Sequence, residues 1–117
     1  MPKLLLLIIV LIIIVLTAAL TIVFNFNDPA SSPPKIEIDT AVNQANLLYR
    51  QRKELGENFS NGPCLSNALM PGWVLDLVHN PRQPIDDLPE NQCNSFVEGR
   101  SKHFVELDIE GDLIKAK

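Results

Sequence analysis

Basic residues are few and scattered in this sequence: ten Lys and Arg stand against fourteen Asp and Glu over 117 residues. No run of them offers the continuous positive surface that a phosphate backbone requires, so nucleic acid is not an expected partner. No glycine-rich loop is placed to cradle a phosphate, and no serine stands in a nucleophile-elbow pattern. Cysteine is reduced to Cys64 and Cys93 and histidine to His79 and His103. That scarcity leaves one intramolecular disulfide pairing and little material for a metal centre. The chain has room for one domain at most. A domain of about 80 residues is marginal unless a disulfide, a metal or an oligomer supplements its core.

Charge is also missing from Leu4 to Phe24, where only the hydroxyls of Thr17 and Thr21 are polar. Those hydroxyls can bond back to helix carbonyls. A helix of 21 residues at 1.5 Å each spans roughly 31 Å, close to the roughly 30 Å hydrocarbon core of a bilayer. It would satisfy every backbone polar group internally. Leu, Ile and Val surround it without a polar stripe, which suits a span rather than a helix lying in the interface. A cleaved signal peptide is the rival reading, with Thr17-Ala18-Ala19 as the cleavage site. The apolar run continues past it through Leu20, Ile22, Val23 and Phe24 and favours an uncleaved span. Lys3 precedes the segment whereas Asn25, Asn27 and Asp28 follow it, a bias toward an N-terminus inside and a domain outside. The expected organisation is a cytoplasmic N-terminus at 1–3, a transmembrane helix at 4–26 in contact with the lipid bilayer, a Pro/Ser-rich linker at 27–37 and a small extracytoplasmic α+β domain at 38–117.

Within that domain Asp39 or Thr40 is placed to cap a helix running to Leu55. Val42, Ala45, Leu48 or Tyr49, Arg52 and Leu55 recur at helical spacing, and Gly56 follows to end it. Leu65 to Met70 suggests a short helical turn at best. Trp73 to Val78, interrupted only by Asp76, reads as a core strand between Pro71-Gly72 and Asn80-Pro81. Asn80 to Asn91, with three prolines and the acids Asp86, Asp87 and Glu90, reads as an irregular surface excursion. Phe104 to Ile109 alternates, with Val105, Leu107 and Ile109 inward and Glu106 and Asp108 outward, and Leu113 to Ala116 returns as a hairpin. The expected fold is α+β: one amphipathic helix packed on an antiparallel sheet of about three strands.

Exported cysteines pair, so a Cys64–Cys93 disulfide is expected rather than an activated thiol. His79 and His103 are the candidates for metal or catalytic chemistry, through Asp76 with His79 and His103 with Glu106. Both spacings of three fall on strand-like segments, where such residues point to opposite sides, and no cofactor or metal is expected. Asp108, Glu110 and Asp112 fail as a calcium loop because Gly111 comes one position too early. Asp86, Asp87 and Glu90 lie in a proline-rich loop, where nothing apolar is expected at hand to raise one pKa above the other for hydrolysis.

The order of elements, an apolar N-terminal helix, a second helix, a small sheet and a disulfide loop, resembles that of type IV pilins in architecture alone. Met1-Pro2-Lys3 leads straight into leucines, without the Gly-Phe junction or the Glu at the fifth mature position, and Pro33-Pro34 interrupts the stem. No residue role carries over. The leading expectation is a non-catalytic, membrane-anchored extracytoplasmic module that binds or scaffolds another envelope protein or a wall polymer. The alternatives are a small envelope enzyme using His79 and His103, metal-dependent or not, and a pilin-like assembly subunit.

Overall fold

A computed structural model describes residues 2–26 and 32–117, which form two compact units dividing after Ser32. The first unit is helix α1, Lys3–Phe26. Its stretch Lys3–Phe24 is long and apolar enough to cross a membrane, and none of it is buried within the chain. The Thr17 hydroxyl donates to the Ile13 and Ile14 carbonyls and that of Thr21 to the Thr17 carbonyl, so both are satisfied without water. Of the expected linker at 27–37, residues 27–31 lie outside the described residues, and Lys35 to Glu37 belong to the next helix instead.

Helix α2 spans Lys35–Glu54 and so begins about five residues before its expected start. The cap is Pro34, held at extended angles, and its carbonyl accepts the N–H groups of Glu37 and Ile38. A proline before a helix costs no hydrogen bond, since the first N–H groups of a helix are unpaired in any case. Asp39 instead pairs with Lys35 one turn away, and the Thr40 hydroxyl bonds the Ile36 carbonyl. Ala41, Ala45 and Tyr49 form the buried stripe. Leu55 lies beyond the helix and is exposed, and Gly56 follows at φ +80°, where a glycine is needed to end it.

The sheet has four strands, β1 (Cys64–Met70), β2 (Trp73–Val78), β3 (His103–Asp108) and β4 (Leu113–Ala116), in the order β1-β2-β3-β4. It is mixed rather than wholly antiparallel: β1/β2 and β3/β4 are antiparallel hairpins, whereas β2 and β3 run parallel from Trp73↔His103 to Val78↔Asp108. A parallel neighbour requires a crossover of a dozen or more residues. Residues 79–102 supply it through two 3-10 turns, Pro84–Asp87 and Pro89–Asn91, and the short helix α3, Asn94–Val97. The extra strand, β1, occupies the segment expected to make a helical turn. Its register shifts twice against β2, so its side chains never show a clean alternation.

One face of the sheet packs on α2. Trp73, Leu75, Leu77, Val105, Leu107 and Leu65 join Ala41, Ala45 and Tyr49 in the core. The two alanines let the helix lie close, the Trp73 Nε1 donates to Glu37 at 2.8 Å, and the Tyr49 hydroxyl donates to the Ile109 carbonyl at 2.7 Å. Gly111, at φ +98°, lies where a Cβ would strike the Tyr49 ring. The crossover covers the opposite face, which explains why β2 reads as an almost continuous apolar run: it is buried on both sides. The C-terminal hairpin forms as expected, with Val105 and Leu107 fully buried and Ile109 packed against the core. Asp108 departs from its expected outward role. It is buried, and its carboxylate accepts the N–H groups of Glu110 and Asp112, closing the turn.

Candidate functional site

Cys64 and Cys93 are bonded to each other, joining strand β1 to the residue that caps α3. The bridge draws the crossover down onto the second face of the sheet.

The two histidines do not meet. His103 stands level with Trp73 at the start of β3 and stacks on its ring at 5.0 Å, while His79 follows the far end of β2. Six strand positions separate those levels, about 20 Å. His103 and Glu106 fall on opposite faces of β3, and His79 pairs with Asp86 rather than with Asp76, so neither sequence-spaced pair forms a unit. Among the described residues no three or more His, Cys, Asp or Glu side chains are grouped to hold a metal.

His79 belongs instead to a loop clasp around Asp86. The Asp86 carboxylate lies 2.8 Å from the His79 Nδ1 and accepts the backbone N–H groups of His79 at 3.1 Å and Gln83 at 2.8 Å. Burial alone would raise this carboxyl, but the donors from Gln83 and His79 hold it below the ordinary value, so it stays ionised and Nδ1 carries the shared proton. Gly62 packs so close that a Cβ there would overlap the carboxylate. Asp86, expected on a surface excursion, is thus the buried hub that shapes the crossover.

Asp76, read in the sequence only as an interruption of the strand and as a partner for His79, takes a different place in the structure. It is the one acid in the apolar run of β2, and register places it in a lateral row Cys64–Asp76–Glu106–Lys115 across all four strands. Val74, Asp76, Phe104 and Glu106 floor a cavity of about 130 Å³ on the crossover side, with Phe96, Gln92, Arg82 and the disulfide at Cys93 as its walls. Phe96 and Phe104 meet edge to face at 5.3 Å. Arg82 holds Asp87 at 2.9 Å and reaches Glu106 at 3.5 Å. Asp76 Oδ1 is buried with no hydrogen-bond partner among the described residues. Burial first, then the neighbouring Glu106 carboxylate, push the Asp76 carboxyl up to about 7, with Arg82 opposing.

An acid poised at this value exchanges its proton at neutral pH: protonated it donates a hydrogen bond, ionised it offers a cation a poorly solvated partner. The cavity holds about four water-sized groups, at roughly 30 Å³ each. It is well below the roughly 300 Å³ at which pockets for whole small molecules begin, so it suits the end of a chain. The only sulfur in its lining is committed to the disulfide, and no hydroxyl lines it. Protein-family models, curated proteins and solved structures all fail to match this chain.

Proposed function

We propose that the protein is a single-pass membrane protein, N-terminus inside, whose domain lies outside and binds or scaffolds another envelope protein or a wall polymer. The observation that carries this reading is the stretch Lys3–Phe24 of α1: it is apolar on every side, long enough for one crossing, and its side chains are exposed rather than packed within the chain. So large an apolar surface is costly in water and favourable in lipid. The Cys64–Cys93 bridge supports the outer location, since disulfides persist in oxidising compartments. The orientation rests on Lys3 before the helix and the polar, acidic residues after it. Scaffolding rather than catalysis is favoured by the separation of His79 from His103 and by the small volume of the cavity over Asp76.

A photoreactive residue at Val97, exposed and next in sequence to the cavity residue Phe96, tests the reading in native membranes. Irradiation should give a discrete adduct with one envelope component, while the same residue at the exposed Lys53 should give less of it or none. A domain that remains uncoupled from both positions contradicts a binding role.

A further inference from the structure

We infer that the cavity over Asp76 is a seat for the ammonium end of an alkyl chain, the side chain of a lysine on the partner. The inference rests on the binding-module reading and names the chemistry at its site. Three independent features of the lining ask for this ligand. Asp76 Oδ1 is a buried acceptor lacking a partner among the described residues, an arrangement that costs free energy until a donor arrives. Val74, Phe96 and Phe104 give the same cavity an apolar wall, and Phe96 keeps two-fifths of its surface exposed. An ammonium near aromatic rings beside a carboxylate is favoured by both. The third feature is size, which matches the charged head and last carbons of a lysine. A bare divalent ion fits poorly, because two carboxylates beside phenyl rings fall short of the six to eight oxygens that calcium takes.

Charges around Asp76 set the direction of the pH effect. Glu106 faces it from β3 and Asp86 from the crossover, both opposing its ionisation, while Arg82 favours it from above. Lys115 stands one strand further on, opposite Glu106. The ligand stays protonated up to about pH 10. It therefore competes only with the proton on Asp76. With that carboxyl at about 7, the apparent affinity should fall about tenfold between pH 8 and pH 6.

The test uses the full chain in lipid nanodiscs, titrated by NMR with a capped Gly-Lys-Gly peptide, with its norleucine counterpart and with n-butylammonium. The lysine peptide should saturate, shift the Phe96 and Phe104 ring signals, and weaken tenfold on going from pH 8 to pH 6. Asp76→Asn should weaken it at least tenfold at pH 8 and abolish the pH dependence, and Asp39→Asn, on exposed helix α2, should change nothing. If Asp76→Asn does not fold, Glu106→Gln is read in its place, with a several-fold loss expected. Equal binding of the norleucine peptide, or unchanged affinity in a folded Asp76→Asn, overturns the ammonium seat. Butylammonium binding tenfold tighter than the peptide overturns the assignment to a partner's side chain. A partner captured from Val97 together with no lysine binding removes this inference and leaves the anchored-module reading in place.

Discussion

Replacing Leu107 by Asp should cost the domain about 5 kcal/mol, enough to unfold most of it at room temperature, while Glu106→Gln one position earlier shifts the melting midpoint by only about a degree. Leu107 is fully buried in the cluster between the sheet and α2. A carboxyl there would be buried either ionised with no partner or protonated with its hydroxyl unpaired, and the leucine's own burial would be lost as well. Glu106 points to the other face, is partly exposed, and meets Arg82 only at 3.5 Å. Its amide keeps a hydrogen-bonding group there and removes a like charge beside Asp76. Thermal melts of the two variants check the register of β3 directly, because a slip of one residue exchanges the two outcomes. Comparable losses in both would contradict the assigned faces.

The second large effect concerns the disulfide. Cys64 and Cys93 are 29 residues apart in sequence, and closing a loop of that length restricts the unfolded chain by roughly 3.5 kcal/mol on the chain-entropy account. That is a large share of the stability of a domain of this size. The bridge also acts locally, since the crossover reaches the sheet beside it and the Cys93 side is one wall of the Asp76 cavity. Replacing both cysteines by Ser should therefore lower the melting midpoint by more than about 10 °C, with partner capture retained at low temperature where the variant folds. A midpoint equal to wild type would contradict a stabilising role, as would a normally folded variant that has lost all capture.

Much of the fold was legible because its signals are local. The apolar length of α1, the alternation from Phe104 to Ile109 and the turn at Glu110-Gly111 are each written in consecutive residues. The helix start was misjudged because two signals competed: Asp39 and Thr40 are good capping residues, but Pro34 is compatible with an earlier start, and tertiary packing of Ile38 and Ala41 extends the helix to reach it. Strand β1 escaped notice because its bulges break the period of two on which strand recognition depends. The parallel pairing of β2 with β3 is decided by where the crossover returns, a property of residues 79–102 as a whole that no short window carries.

The candidate site was legible in part. Strand periodicity correctly separates His103 from Glu106, and the pairing of two cysteines needs only counting. The depth of Asp86 was hidden, because a proline-rich acidic segment reads as solvated until its backbone donors are seen to converge on one carboxylate. Asp76 did leave a trace, as a single acid inside an apolar strand. Its meaning depends on the second face being covered, and the cover comes from α3 and Arg82, distant in sequence.

The central claim, a domain held outside a membrane by α1, is most directly tested by the sidedness of one introduced thiol. Gln51 lies exposed on α2, and the two native cysteines are bonded and unreactive toward maleimides. In intact cells, Gln51→Cys should react with a membrane-impermeant maleimide to the same extent as in lysed cells, with the label on a membrane-bound chain. Labelling that appears only after lysis would place the domain inside and contradict the account.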